Sequence, residues 1–592
     1  MKLCEHDIRF EAPPEIAENT LLSVADDPRD PDVALIRLDI AFPGGPSFPG
    51  TVKVGWNIPC TDIFSTSSAS SVYERNIAPS WRPRVTSSRL ASGAPLHQLV
   101  SSGGRNRMTV ALSDAANACE IRTCAREHTC EISTEVRFFT QTSGPFEKYS
   151  AVIRVDFSDR PFYDSLKAAV RFWEEECGYP ALFVPEAARR PLYSCWYSFH
   201  QAIDEGRILD QCRLAKRLGM ESVIVDDGWQ CDGVNVGYTG CGDWIPSPAK
   251  VADMKSFVDA VHATGLKFIL WYSLPAAGKY SKARERFADM LLNPSANSWS
   301  SLDPRFPEVR EYLAGTIGRE VREWGLDGIK LDFIDSFKLF PDTPASDPRR
   351  DCASLESGVD RLLDAVTKAV KAVRPDILIE FRQSYFGPVI RKYGNMIRVG
   401  DCPADSIRNR IAGTDLRFMT GRTAVHSDML MWHPDDDAAS AAYQVICTLF
   451  TVPQISVLLD RIPQSHVAML RFYLGFWNRL RDVLLDGCLE AEGPESGYSM
   501  IRSSRDGVTV AVSYTDPVLK LGSFRAAYHV NATPGDELYV RFAGGGRGRK
   551  RSRPYTFRVL DCTGSPVSSG VLPPSTELAR FEVPRCGMLK LS

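Results

Sequence analysis

Apolar positions along the 592-residue chain come in two textures. Up to about residue 170, and again from about residue 483, they form short β-branched runs separated by Ser, Pro and Gly: 33–40, 108–113, 130–139 and 149–157 early, and 507–514, 537–542, 555–560 and 580–583 late. Short strands punctuated by turn residues predict an antiparallel β-sandwich at each end. The middle differs. Eight apolar runs, 192–197, 222–225, 267–271, 328–331, 377–381, 396–399, 423–426 and 454–459, alternate with amphipathic segments. Leu355, Val359, Leu362, Leu363, Val366, Val370 and Val373 recur at helical spacing, as do Ile208, Cys212, Leu214, Ala215 and Leu218, the latter set ending at Gly219 where a C-terminal capping glycine belongs. Eight strand–helix alternations are the arithmetic of a (β/α)8 TIM barrel. A doubly wound open sheet is the alternative, but no glycine-rich dinucleotide fingerprint follows any strand. The step from Phe381 to Met396 leaves room for only a small helix. The reading is a multidomain α/β protein: an N-terminal antiparallel β-sandwich over 1–170, a central (β/α)8 barrel over 171–482 and a C-terminal β-sandwich over 483–592.

Composition narrows the function classes. Lys and Arg number 70 against 73 Asp and Glu, a formal charge of −3, so no global field favours nucleic acid or an anionic membrane. The longest apolar runs, 441–449 and 452–459, fall well short of the ~18 residues that span a bilayer. Residues 1–7 lack the apolar stretch of a secretory signal. The 16 cysteines are scattered, several inside apolar runs (Cys195, Cys212, Cys447) where a thiol behaves as a small hydrophobe. Both features predict a cytoplasmic, reducing location. Cys119, Cys124, His128 and Cys130 lie in an alternating strand hairpin with no CxxC pair, and read as packing thiols rather than a zinc site. Residues 544–554 carry five basic residues among glycines and read as a solvated hairpin tip.

In such a barrel, catalytic groups come from the carboxyl ends of the strands. Taken in order, those ends read Trp196, Tyr197 and His200; Asp226, Asp227 and Trp229; Trp271 and Tyr272; Lys330 and Asp332; Glu380 and Arg382; Arg398 and Asp401; His426, Asp428 and Trp432; Asp460 and Arg461. Carboxylates and indoles gather at one end, as a sugar site requires: carboxylates for hydroxyls and proton transfer, flat rings for the apolar face of a pyranose. A carboxylate closing a strand is often only the N-cap of the next helix. Capping explains at most one of the adjacent Asp226 and Asp227, because side chains alternate along a strand. Lys330 and Asp332, two apart, face the same side, either as a structural ion pair or as a lysine holding a nucleophilic aspartate ionised. Residues 274–278 and 341–351, rich in small residues and Pro, are placed as rim loops.

These residues carry a resemblance. Asp226-Asp227-Gly228-Trp229, then Gly242-Asp243-Trp244, then Leu326-Asp327-Gly328-Ile329-Lys330-Leu331-Asp332-Phe333, then Arg398-Val399-Gly400-Asp401 resemble the α-galactosidases of glycoside hydrolase family 36 (clan D). The resemblance covers roughly 185–480, and the flanking β-rich parts suit that family's sandwich–barrel–sandwich architecture. It implies a retaining, exo-acting α-galactosidase that hydrolyses terminal α-galactosyl residues of small oligosaccharides through a covalent glycosyl-enzyme, without metal or cofactor. By that resemblance Asp332 is the nucleophile, kept ionised by Lys330, which also contacts the sugar. Asp401 is the general acid/base, with Asp405 in reserve. Asp226 and Asp227 hold the O4 and O6 hydroxyls, Arg398 orients the acid/base, and Trp229 and Trp196 wall the pocket. Trp271, Asp243, Trp244 and Arg382 complete the substrate-binding set. Retention needs the two carboxyl groups ~5–5.5 Å apart, and the fourth and sixth strand ends permit it.

The chain departs from the family after the fifth strand. Where many members carry a Cys- and Gly-rich segment against the sugar's O2, it reads Glu380-Phe381-Arg382-Gln383-Ser384-Tyr385-Phe386-Gly387. Arg382 and the bulky Tyr385 and Phe386 therefore leave the sugar open among α-galactoside, α-N-acetylgalactosaminide, α-glucoside and β-arabinopyranoside, and leave transglycosylation beside hydrolysis. A non-catalytic carbohydrate-binding protein is disfavoured, since both candidate catalytic carboxylates are present. The partner is a small oligosaccharide, with no nucleic acid or membrane; a homo-oligomer is compatible with the size.

Overall fold

The computed structural model describes residues 8–68, 73–542 and 554–592. The basic loop at 544–554 falls, but for Pro554, outside the described residues, as do residues 1–7. A five-stranded and a six-stranded sheet, with antiparallel pairing throughout, form the N-terminal part. Their facing apolar sides, including Ile36, Leu38, Val54, Trp56, Val110 and Ile153, form one buried core. Cys119–Arg126 and Glu131–Phe138 pair as a hairpin, Cys124 opposite Ser133. The C-terminal part stacks a seven-stranded on a three-stranded sheet. Two of its pairings are parallel, Val508–Ser513 with Ala526–Asn531 and Val518–Leu521 with Glu537–Phe542, so this sandwich is not wholly antiparallel.

Between them, eight parallel strands form one sheet: β1 (Leu192–Ser194), β2 (Ser222–Val225), β3 (Lys267–Ser273), β4 (Gly328–Asp332), β5 (Leu378–Arg382), β6 (Met396–Arg398), β7 (Ala424–His426) and β8 (Gln454–Ile455). β8 pairs with β1, and parallel bridges His426–Val452 and Leu430–Ile455 bring β7 against the β8 segment, closing the barrel. Helices pack outside. The one over Leu355–Val373 buries Leu355, Val359, Leu362, Leu363, Val366 and Val370, each side chain contributing about 1.5–3 kcal/mol by leaving water. Ser354 caps its start, and Pro375 ends it by disfavouring helical backbone at Arg374. The helix Glu205–Arg217 ends before Gly219, whose φ of +87° supplies the left-handed turn. Only a short 3-10 turn, Ile390–Lys392, fits between β5 and β6.

Three local expectations are corrected. The run at 192–197 is strand only to Ser194; Trp196–Phe199 turns into a short helix, with Ser456 Oγ accepting the Tyr197 N–H. The run at 454–459 is strand only to Ile455. Residues 274–278 are not rim: Ala276–Gly278 pairs with Trp299–Ser301 and is buried, because its small side chains admit a second backbone, Thr239 O lying 2.3 Å from where a Gly278 Cβ would sit. Residues 170/171 and 482/483 both fall at or inside helices, Phe162–Arg171 and Gln464–Asp486.

The three parts are joined by buried polar contacts. Arg75 of the N-terminal sandwich donates to Asp415 on the barrel helix Ser406–Met419 at 2.6 Å and to Tyr498 of the C-terminal part at 3.4 Å, and Tyr498 donates to Asp415. Arg89 reaches the loop after β4, donating to the carbonyls of Phe337 (2.6 Å) and Asp335 (2.8 Å) and to Glu356 (3.0 Å).

Candidate active site

The carboxyl ends of β2, β4, β5 and β6 meet around Asp332, the last residue of β4 and 7 % exposed. Its Oδ1 accepts from Arg382 Nε (2.6 Å), Tyr385 Oη (2.8 Å) and the Phe333 N–H (2.8 Å); its Oδ2 accepts from Trp271 Nε1 at 3.0 Å. Burial pushes this carboxyl up, but Arg382, Lys330, the Trp271 N–H and Arg398 outweigh it and hold it well below the usual carboxylate range. It is an anion fixed in place.

Lys330 touches a different partner from the one anticipated. Its Nζ donates to Asp226 Oδ2 at 2.6 Å, both side chains being 4 % exposed; the cation in direct contact with Asp332 is Arg382. Lys330 lies two residues back on β4, one layer deeper, at the level of β2's end, so it acts on Asp332 only through space. Neither Asp226 nor Asp227 caps a helix. Asp227 accepts from Gln201 Nε2 and Gln230 Nε2, each at 2.6 Å. Burial pushes it up to about 6 against those donors. Gly228 makes this hairpin-tight corner: its φ is +116°, and a Cβ there would sit 2.6 Å from Gln201 Cα.

Arg398, buried at the end of β6, donates to Asp401 Oδ1 at 2.8 Å, to the Val399 carbonyl at 2.9 Å and to Asp428. Asp401 stands 53 % exposed at the mouth. Desolvation raises it, but Arg398, then Arg382 and Lys330, leave it below the ordinary carboxylate value. Asp405 is placed otherwise: it caps the helix Ser406–Met419, accepting from the Arg408 N–H (2.9 Å), and takes the Tyr73 hydroxyl at 2.9 and 3.0 Å. Its oxygens are occupied by fold contacts.

Among the tryptophans, Trp271 forms the floor under Asp332, and half-buried Trp196 stacks on His200 with centroids 4.6 Å apart. Trp229 and Trp244 are corrected to core. Trp229 is wholly buried, packs on Trp244, Tyr272 and Trp324, and donates its N–H to the Trp271 carbonyl at 3.0 Å, so it supports the floor from behind. Asp243 likewise serves the scaffold: it accepts the N–H groups of Lys282 (2.9 Å) and Ala283 (2.8 Å) at the start of a short helix.

Several contributors lie outside the anticipated set. Asp428 bridges Arg398, the Tyr197 hydroxyl (2.9 Å) and the Cys402 N–H (2.6 Å), and burial raises its carboxyl against Arg398. Glu380 sits in the barrel interior on Gln454 Nε2 at 2.6 Å, pushed up to about 7 by burial against Lys330 and Arg398. Both stood at strand ends in the sequence, a sufficient signal. Gln201 and Gln230 gave none, because neutral amides in loops look like any surface residue.

Among the described residues there is no group of three or more His, Cys, Asp or Glu arranged to hold a metal ion, and no helix is long and apolar enough to cross a membrane.

Residues 185–381 match the family model described as Melibiase. A probable α-galactosidase C of Aspergillus flavus is 24 % identical over 258 residues, 40 % of this chain and 33 % of that protein. An A type blood α-D-galactosamine galactosaminidase of Flavonifractor plautii is 25 % identical over 172 residues, 26 % of this chain and 15 % of that one. The chain thus matches a third or less of the length of these curated relatives. Of solved structures, the GH36 α-galactosidase AgaA of Geobacillus stearothermophilus, a variant in complex with raffinose, superposes with a TM-score of 0.66 at 16 % identity, covering 99 % of this chain and 86 % of that one. Residues 185–381 are thus similar to the Melibiase family, and the whole chain shares the fold of the GH36 α-galactosidases.

Proposed function

We propose that this chain is a retaining, exo-acting α-galactosidase that hydrolyses terminal α-galactosyl residues of small oligosaccharides. The observation that carries this reading is the pairing of roles at one barrel mouth: a fixed, buried, ionised Asp332 on the floor and a solvent-accessible Asp401 held by Arg398 at the rim. Asp332 attacks the anomeric carbon; the glycosidic bond breaks as its oxygen takes the Asp401 proton. Asp401 then removes a proton from water, which attacks the anomeric carbon; the C1–O bond to Asp332 breaks, its electron pair returning to the carboxylate, and the product has net retention. Asp226 and Asp227, with Lys330, offer one wall of acceptors and one cation to the sugar hydroxyls, and the half-buried Trp196 ring offers an apolar face. The test is release of 4-nitrophenol from a panel of aryl α-glycosides, with the anomer of the first-formed sugar read by NMR. Turnover of the α-galactoside with an α-product supports the reading; a β-product overturns retention.

One observation favours a second sugar. The galactosaminidase similarity, together with Arg382 and Tyr385 in place of small residues after β5, keeps α-N-acetylgalactosaminide in the panel. A higher kcat/KM on that glycoside selects it.

Asp401 rather than Asp405 is assigned the acid/base role, and the two variants separate them. Asp405→Ala is expected to cost about 1 kcal/mol of stability as a lost cap and to keep kcat within about tenfold. Asp401→Ala is expected to lose about 10²–10⁴-fold in kcat on substrates with poor leaving groups, the usual worth of a general acid, and much less on 4-nitrophenyl substrates. The opposite ranking reassigns the role.

The pH profile follows from the same geometry. In the free protein Asp401 is depressed, so its deprotonation places the basic limb of kcat/KM on the acid side of neutrality. A bound sugar covers Asp401 and strips its water, which raises it. The basic limb of kcat is therefore expected at higher pH than that of kcat/KM. Coincident limbs count against Asp401 as the acid.

A further inference from the structure

The two oxygens of Asp332 are treated unequally. Oδ1 accepts three donors at 2.6–2.8 Å, one a guanidinium, whereas Oδ2 accepts a single indole N–H at 3.0 Å. A carboxylate offers about two lone-pair directions per oxygen, so Oδ1 is saturated and Oδ2 has one direction open. We propose that Arg382 and Tyr385 act as a clamp on Oδ1 that makes Oδ2 the attacking oxygen, with Tyr385 a positioning residue for the reaction. This deepens the functional reading above and rests on it.

Attack through Oδ1 requires the loss of a charge-assisted hydrogen bond, the stronger kind; attack through Oδ2 requires nothing to move. As the Oδ2–C1 bond forms and the C1–O bond breaks, the electron pair passes to the departing oxygen with the Asp401 proton. Oδ1 becomes the ester carbonyl and keeps its three donors. The clamp is held from inside the barrel and from outside it. Tyr385 is wholly buried, edge-on to Phe381 with centroids 5.9 Å apart. Its loop is latched to the N-terminal sandwich: the Gly93 N–H donates to the Ser384 carbonyl at 2.7 Å, and Ser92 Oγ lies 3.3 Å from Ser384 Oγ. The approach is so close that a Cβ on Gly387 would meet Gly93 O at 2.7 Å. Arg382 is held over the rings of Phe333 and Tyr385, each 5.4 Å away. The sandwich thereby takes part in aiming the candidate nucleophile.

The test traps the glycosyl-enzyme with 5-fluoro-α-D-galactopyranosyl fluoride. Peptide mapping places the label first: a label absent from Asp332 overturns the functional reading itself. With Asp332 labelled, the crystal structure of the adduct is expected to show the ester through Oδ2 and Tyr385 Oη still on the carbonyl Oδ1; an ester through Oδ1 overturns the clamp alone. Tyr385→Phe gives an independent readout. Its kcat is expected to fall roughly 10- to 100-fold, about what one hydrogen bond to a charged group supplies, with KM within about threefold. Because a donor to the ionised form is gone, the acid limb of kcat/KM moves to higher pH. An unchanged kcat and an unmoved acid limb overturn the positioning role.

Discussion

Asp332→Ala is expected to abolish turnover of every α-glycoside the intact protein cleaves, by at least about 10⁴-fold in kcat, the scale seen when a member of a covalent catalytic set is removed. The reason is geometric as much as chemical. The anion ends β4, is almost completely buried, and is met by four donors on four different residues, so no neighbouring carboxylate is positioned to replace it. A small anion can. In Asp332→Gly, azide is expected to restore turnover of an aryl α-galactoside and to yield the β-galactosyl azide, because it attacks from the face the carboxylate occupied. The same azide with Asp401→Gly is expected to yield the α-azide, since there the glycosyl-enzyme forms first. NMR of the two azides distinguishes the roles. A β-azide from both variants, or residual activity of Asp332→Ala within about a hundredfold of the intact protein, removes Asp332 from the nucleophile's place.

The second large effect is on stability. Lys330 and Asp226 form an ion pair at 2.6 Å inside the barrel, each side chain 4 % exposed. Desolvation pushes the lysine down, but Asp226, with Asp332 and Glu380, together offset it, so the ammonium stays charged. Asp226→Leu leaves that charge buried with its nearest counter-ion gone. Breaking a buried pair from one side costs about 3–5 kcal/mol, a large fraction of the 5–15 kcal/mol typical of a folded domain. The urea midpoint is expected to fall accordingly. Replacing both partners, Asp226→Leu with Lys330→Met, removes the stranded charge and is expected to recover most of the loss, as apolar replacement of buried pairs often does. Catalysis does not recover with it, because the double variant withdraws from the sugar both the Asp226 acceptor and the Lys330 cation. A single variant as stable as the intact protein shows the pair to be without structural weight.

The wider site follows one rule: charged groups in the barrel mouth are shared, not paired one to one. Arg398 serves Asp401, Asp428 and, at 3.8 Å, Glu380, while Lys330 contacts Asp226 and still lowers Asp332 from a distance. Opposed shifts result. Burial leaves Asp227 near 6 and Glu380 near 7, whereas Asp332 and Asp401 lie below their ordinary values. Titratable groups whose surroundings push them apart are the mark of acid–base work.

What the sequence determined by itself is the fold and the carboxylates. Parallel strands buried on both faces must be apolar throughout, so all eight runs were visible, and helices covering them must carry one apolar stripe, so Leu355–Val373 was visible too. A single charge at a strand end can be a cap, but several gathered at one end of a barrel point to a site, which singled out Asp226, Asp227, Asp332 and Asp401. What only the tertiary structure decided is who touches whom. Whether a tryptophan walls a pocket or fills a core depends on what packs over it, and Trp229, beside the aspartates in sequence, lies behind Trp271 in space. Lys330 two residues from Asp332 and Arg382 fifty away look unequal on paper, yet the barrel brings the distant one into contact and turns the near one toward Asp226. Asp401 and Asp405 are alike in sequence and separate only once Asp405 is seen to cap a helix. Strand and helix identity comes from periodicity, which is local; partnership in a barrel mouth comes from closure, which joins residues that the chain keeps far apart.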